Sequence, residues 1–343
     1  MTDRGSLGVE CPEFAALTES EKSLVIPTDP TAARELFKNR YAVGVEAHFG
    51  PTLPADSSYR IEDHHIPVEG DENIFIRCLI PTCTSSSGQG QTFPLLVWYH
   101  GGAWISGFAL MDDYILRHIC VELQVVIINV DYRLAPEYTF PIGVNDCYAG
   151  LKWAASNDAL LSADLSKGFI VSGFSAGGSL AAVMALRARD DPFFKARPLT
   201  GQILHSPLTI HPDAYKSSLK SVEEFWEGPV LFGKSFRSYC ELTKAVPTDT
   251  NFSPLLATTH AGLPPLCMQV AGMDPLRDED ILYEQALRAA GVKTKLHVYP
   301  GVPHAFQWIF PTLSVSRQFE KDFRDGIRWI LEMSASSKPS SRP

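Results

Sequence analysis

The sequence predicts an α/β fold: a mostly parallel central sheet flanked by helices, with a helical cap. Three observations carry this. From Phe93 onward, short unbroken apolar runs recur: "PLLVWYH", "VVIINVDY", "KGFIVSG", "GQILHSP", "PLCMQVAG" and "KLHVYPG". Each suits a strand buried on both faces, as the strands of parallel sheets are. Between them lie stretches of helical periodicity, and that alternation demands a doubly wound sheet. The stretch from His205 to about Leu256 breaks the rhythm. It is Pro-rich and aromatic, with Tyr215, Phe225, Trp226, Phe232, Phe236 and Tyr239. Connections that long are functional or carry structure of their own, so it reads as cap.

The elements follow in order. Residues 1 to about 55 read as helices with proline breaks, and "TAARELFKNRYAVG" (Thr31 to Gly44) as a helix with a glycine stop. "RIEDHHIPV" and "NIFIRCLIP" flank "EGDE", a strand–turn–strand signal. "SSSGQGQ" (Ser85 to Gln91) is a flexible loop, whose G-x-G lacks the strand-to-helix setting of a phosphate site. Val144, Cys147, Tyr148, Leu151 and Ala155 share one helical face after Pro141. Ile281 to Ala290 predicts another helix, stopped by Gly291. Val315, Phe319, Phe323, Ile327 and Leu331 recur every four residues and predict the last. The expectation is a single domain over 1–343, with the cap contributed by about 1–55 and about 205–256.

Composition narrows the classes of function. Of 343 residues 45% are hydrophobic and 20% charged, so the chain can bury a large core. A formal net charge of −9 with no basic patch argues against nucleic-acid partners. The seven cysteines (Cys11, Cys78, Cys83, Cys120, Cys147, Cys240 and Cys267) are scattered, without C-x-x-C. They read as buried thiols in a reducing compartment, not as a disulfide framework or zinc site. The N-terminus "MTDRGSLGVECPEF" lacks the apolar core of a signal peptide, and no apolar run approaches the roughly 18 residues of a membrane span. A cytoplasmic protein is expected, and a homodimer is left open.

Gly173-Phe174-Ser175-Ala176-Gly177 fits G-x-S-x-G, between an apolar strand and an alanine-rich helix. A serine hydroxyl is a poor nucleophile unless it is lifted clear of the backbone and given a base. A strained strand-to-helix elbow does the lifting, and flanking glycines remove the Cβ atoms that would clash. Hydrolysing an acyl group also creates an oxyanion, which needs preorganised donors. "WYHGGAWISG" (Trp98 to Gly107) offers bare backbone at Gly101 and Gly102, and the N–H of Ala176 completes the candidate oxyanion hole. His100 reads as structural, fixing this loop. The base is expected at His304, in "YPGVPHAFQ", on a loop before the last helix. His297 lies within a strand. His64 and His65 are adjacent on an early strand and face opposite ways. His205 and His211 border the cap. Asp274 follows a buried strand directly and is the expected partner of the histidine. Asp278 and Asp280 have an ordinary role near a helix N-terminus. With no H-E-x-x-H in the chain, a metal site is disfavoured. The aromatic cap, Trp104 and Phe174 point to an apolar or aromatic substrate of modest size.

The order Ser175, Asp274, His304 is that of the α/β-hydrolases. Together with "HGGAW", "DYRLAPE", "GFSAGG", "SPLLA", "DPLRDE" and "HAF", the chain resembles the hormone-sensitive-lipase-like family of that fold over roughly residues 93–329. It looks close to small fungal hydrolases that trim esters or lactones in secondary metabolism. The resemblance implies carboxylester hydrolysis through an acyl-enzyme, a two-part cap and no cofactor. It leaves open which of Gly101, Gly102 and Ala103 donate to the oxyanion. Amidase or formamidase activity, acyl transfer and cyclisation use the same triad. A non-catalytic ligand receptor on the same fold is a further alternative, although plant receptors of this kind lack the histidine. Two positions depart from the family pattern. Ala103 stands where many members have a third glycine, and Phe174 where many have aspartate. Phe174 is expected beside the acyl pocket, and Ala103 is expected to serve unless a positive φ is required of it.

Overall fold

The apolar runs alternate their side chains between two faces, and helices cover both. The computed structural model describes residues 4–22, 24–82, 90–215, 219–231 and 233–336. Its strands are β1 (Tyr59–Val68), β2 (Glu72–Pro81), β3 (Leu95–Tyr99), β4 (Val126–Asp131), β5 (Phe169–Phe174), β6 (Gly201–His205), β7 (Leu266–Met273) and β8 (Thr294–Pro303). They form one eight-stranded sheet in the order β1-β2-β4-β3-β5-β6-β7-β8. β1 and β2 form the antiparallel hairpin around "EGDE", and β2 runs antiparallel to β4. From β4 to β8 every pairing is parallel. Such a sheet needs helices on both faces.

Strand β3 shows the consequence. Leu95, Val97 and Tyr99 enter one apolar cluster, with Leu151, Ala182 and Leu287 of helices Ile142–Ser156, Ala176–Asp190 and Arg277–Ala289. Leu96 and Trp98 enter the other, with Ile115, Phe323 and Ile327 of helices Asp113–Leu123 and Ser314–Ser336. In the last helix Phe319, Phe323 and Ile327 are buried as the spacing predicts, but Ile330 replaces Leu331 at the centre of the face. A four-residue repeat drifts against the 3.6-residue turn, so the stripe steps back by one.

Two helix boundaries differ from expectation. The helix over Thr31–Gly44 does not stop at Gly44: it runs Pro30–Leu36, through a π-helical turn at Phe37–Tyr41, and on through Ala42–Phe49. Burial decides this, because Phe37, Val45 and Phe49 all pack inward. The helix expected at Ile281–Ala290 begins at Arg277 and carries Asp278, Glu279 and Asp280 in its first turn. The loop Ser85–Gln91 lies mostly outside the described residues.

The segment after β6 carries helix Gly233–Thr243 and several single turns. Phe225, Phe236 and Tyr239 are buried there, whereas Trp226 is 45% exposed; Phe232 lies outside the described residues. This segment touches the N-terminal one directly. Val25 bridges Val230, and the Tyr239 hydroxyl donates to the Ile26 carbonyl at 2.6 Å. Arg34 ties the N-terminal helix to the body of the domain through Glu137 and the carbonyls of Ile105 and Ala135. Among the described residues, no helix is long and apolar enough to cross a membrane.

Candidate active site

Strand β5 ends at Phe174, and the helix Ala176–Asp190 begins one residue later. Ser175 alone makes the turn, at φ 54° and ψ −121°. A residue with a Cβ is strained at such a φ. Three hydrogen bonds hold its backbone: the Ser175 N–H donates to the His205 carbonyl at 2.8 Å, and the Ser179 N–H and hydroxyl donate to the Ser175 carbonyl at 3.0 and 3.1 Å. The elbow also brings the helix start against the end of β3. A Cβ at Gly177 would lie 1.9 Å from the Tyr99 carbonyl oxygen, so nothing larger fits.

The turn lifts the Ser175 hydroxyl toward His304, with Oγ 3.0 Å from Nε2. On the other side of the ring, Nδ1 lies 2.6 Å from Asp274 Oδ2. His304 follows β8 directly, and Asp274 follows β7 directly. Parallel strands deliver both loops to the same edge of the sheet as the elbow. The Leu276 N–H donates to Asp274 Oδ1 at 2.9 Å, so the carboxylate is held from both ends. Asp274 and His304 are buried. The Nδ1–H of His304 donates to Asp274, which leaves Nε2 as an acceptor for the serine O–H.

The loop after β3 faces the same point. Among the described residues, no acceptor takes the N–H of Gly101, Gly102, Ala103 or Ala176. Gly102 has φ 121°, and a Cβ there would meet the Ser106 carbonyl oxygen at 2.1 Å. Ala103 and Trp104 both sit at positive φ, 54° and 62°. The condition set for Ala103 therefore fails: this alanine adopts the left-handed backbone that a third glycine would take freely. His100 is buried, stacks on Tyr132 at 4.2 Å between centroids, and places Nδ1 2.8 Å from the Gly101 carbonyl. Burial pushes its pKa down, so it stays neutral. The loop is fixed from beneath.

A cavity of about 140 Å³ opens onto Ser175 and His304. Phe174 forms part of its wall, 4.9 Å from the His304 ring and 4.6 Å from Trp308 between centroids. Ile26, Leu36, Phe37, Arg40, Tyr41 and Gly44 line it from the N-terminal segment. These residues, with Trp308, escaped the sequence reading. "HAFQW" puts a tryptophan one helical turn past His304, which was a usable signal; the N-terminal residues carried none. Trp104 does not line this cavity. It stacks on Phe252 at 4.7 Å and lines a separate small pocket with Arg133, Tyr138 and Phe140.

The other histidines lie elsewhere. His205 is buried between Trp98, Phe319 and Phe323, and burial pushes its pKa down to about 3. His211 accepts from the Asp213 N–H. His64 packs on Trp153, His65 on Phe75, and His297 lies 3.4 Å from Asp322. Asp278 accepts from the N–H groups of Lys220 and Ser221 rather than from a histidine. Asp280 is fully buried, and burial raises its pKa. Glu279, pushed up to about 8 by burial, takes the N–H of Thr209 and the hydroxyl of Tyr215. Among the described residues, no group of three His, Cys, Asp or Glu side chains is placed to hold a metal ion.

The strand order, the serine elbow and the bare loop after β3 define an α/β hydrolase. Residues 96–308 match the family model described as the alpha/beta hydrolase fold. The chain is similar to versiconal hemiacetal acetate esterase of Dothistroma septosporum, 36% identical over 74% of this chain and 78% of that protein. It is also similar to carboxylesterase NlhH of Mycobacterium tuberculosis, 35% identical over 72% of this chain and 75% of that one. The crystal structure of vibralactone cyclase superposes with a TM-score of 0.89 at 42% identity, covering 96% of this chain and 97% of the other. The chain belongs to the α/β-hydrolase family, on its hormone-sensitive-lipase-like branch of ester-hydrolysing enzymes.

Proposed function

We propose that the protein hydrolyses the ester or lactone of a small to medium, largely apolar substrate through an acyl-enzyme on Ser175. One observation carries this: the unbroken contact from Ser175 Oγ to His304 Nε2 at 3.0 Å and from His304 Nδ1 to Asp274 at 2.6 Å, at a cavity wall. His304 takes the serine proton as the hydroxyl attacks the carbonyl carbon. Asp274 stabilises the imidazolium that forms. The tetrahedral oxyanion rests on the N–H groups of Gly101, Gly102 and Ala176. Each such donor is worth about 2.7–4 kcal/mol of barrier. The imidazolium returns its proton to the departing alcohol, and water activated by the same nitrogen releases the acid. The N-terminal helices and the segment 205–256 serve as the cap, excluding bulk water from the acyl site. The six described cysteines, all free thiols, fit a reducing, cytoplasmic setting.

Ser175→Ala is the test. We expect kcat with 4-nitrophenyl butyrate to fall by at least about 10⁴-fold in the folded variant. Turnover at the wild-type level would refute the scheme.

The likeness to vibralactone cyclase favours one second reading. The acyl-enzyme is then intercepted by a hydroxyl of the substrate itself rather than by water, and a lactone leaves. Mass spectrometry of products from a hydroxy-ester separates the two: hydroxy-acid supports hydrolysis, lactone supports cyclisation.

A further inference from the structure

We propose that Arg40 is a specificity-determining residue that receives a carboxylate, or another fixed anion, carried by the ester beyond its scissile bond. This rests on the esterase reading above. The carrying observation is a juxtaposition: Arg40, an exposed residue, lines the same cavity as Ser175 and His304, and among the described residues its guanidinium has no partner. Among the described residues of that lining, Arg40 is the lone Lys, Arg, Asp or Glu; the remaining walls are mostly apolar or aromatic.

The contrast with neighbouring arginines sharpens this. Arg34, on the same helical segment, is held by Glu137 and two carbonyls. Arg77 pairs with Asp63, and Arg133 with Asp146. In a chain of net charge −9 carboxylates are abundant, yet among the described residues none pairs with Arg40. An unpaired arginine at a cavity holds its donor fork free for a planar anion.

The backbone under Arg40 is also unusual. The Ala42 N–H bonds to the Phe37 carbonyl, five residues back, which makes a π-helical turn. Such turns are rare and frequently sit at functional sites. This one turns Leu36, Phe37, Arg40, Tyr41 and Gly44 toward a single cavity. Tyr41 is pinned, its hydroxyl donating to Asp112 at 3.2 Å and its ring lying 6.0 Å from Trp308. Arg40 therefore extends from an anchored element while its own head group stays unengaged. Gly44, one turn on along the same face, leaves the neighbouring space open: a Cβ there would meet nothing within 4 Å. The substrate this describes has an apolar body against Phe174 and Trp308 and one anionic group at the Arg40 side.

Matched ester pairs test the assignment. On the acyl side, mono-4-nitrophenyl adipate is compared with 4-nitrophenyl hexanoate. On the leaving-group side, 4-acetoxybenzoate is compared with 4-methylphenyl acetate. Arg40→Met keeps the apolar stem and removes the charge. In one of the two pairs, the ratio of kcat/KM for the anionic over the neutral ester should fall about five- to tenfold, chiefly through KM. Arg40→Lys should restore part of it, and in the wild type added salt should lower the same ratio. If Arg40→Met fails to fold, the salt dependence of the wild-type ratio decides alone. A ratio unchanged in both pairs, or insensitive to salt in the wild type where that decides, overturns the assignment of Arg40 while leaving the esterase standing. No wild-type turnover of any of the four esters would bring down the esterase reading, and this inference with it.

Discussion

Gly101 is required by Phe174, and a double-mutant cycle can measure that. The Gly101 backbone does not lie in the left-handed region, so conformation alone permits alanine. Space does not: a Cβ at Gly101 would sit 2.8 Å from Phe174 Cδ1 and 3.1 Å from its carbonyl oxygen. Carbon atoms prefer about 3.5–4.0 Å, so the overlap with the ring approaches 1 Å. The ring cannot retreat freely, because His304 and Trp308 close it in at 4.9 and 4.6 Å. Overpacking of this kind costs about 1–3 kcal/mol of stability. It also pushes toward His304, where a displacement of about 1 Å costs about a hundredfold in rate. Phe174→Val ends at Cγ and so removes the atom that clashes. The assay is Tm and kcat/KM with 4-nitrophenyl butyrate for wild type, Gly101→Ala, Phe174→Val and the double variant. Gly101→Ala should lose about a hundredfold in kcat/KM. The double variant should exceed the additive expectation at least about fivefold, near 1 kcal/mol of coupling. Recovery stays partial, because the clash with the carbonyl remains. Additivity within about 0.5 kcal/mol would refute the claim that Phe174 demands this glycine.

Two further outcomes follow from the cavity walls. Gly44→Leu should raise Tm by about 1–1.5 °C, since glycine costs about 1 kcal/mol in a helix interior and 343 residues carry an unfolding entropy of about 0.7 kcal/mol/K. The same change should lower kcat/KM for 4-nitrophenyl hexanoate relative to acetate by about tenfold; an unchanged chain-length profile would show that this face does not meet substrate. Asp112 is buried, bonded by the Trp98 indole and the Tyr41 hydroxyl, and burial raises its pKa to about 7. The folded state thus keeps a proton that the unfolded state gives up near pH 4. The associated stability is present in acid and is lost as pH rises through about 7. Asp112→Asn should therefore show a smaller fall in Tm between pH 5 and pH 8 than the wild type, and equal falls would count against a protonated Asp112.

Much of this protein was legible because its signals are local. A buried strand, a G-x-S-x-G turn and an alanine-rich helix are consecutive, so the elbow at Ser175 needs no tertiary information. The apolar runs marked every strand from β3 to β8 for the same reason, and the loops after β7 and β8 carried Asp274 and His304. Contacts made by distant segments were not legible. Gly44 reads as a helix stop because glycine ends isolated helices, yet packing of Val45 and Phe49 carries this helix past it. Trp104 reads as a pocket residue from its place beside "HGGA", but φ 62° turns its side chain toward Phe252.

The sequence by itself determined the sheet, the flanking helices and the order of serine, aspartate and histidine, because strand period, helix period and turn chemistry act within a few residues. Only the tertiary structure decided what surrounds that serine. Arg40 and Tyr41 precede it by more than a hundred positions and Trp308 follows it by more than a hundred. They meet at one cavity because a parallel sheet gathers its loops at one edge and the N-terminal helices fold back across them, a closure that burial enforces and no local pattern encodes.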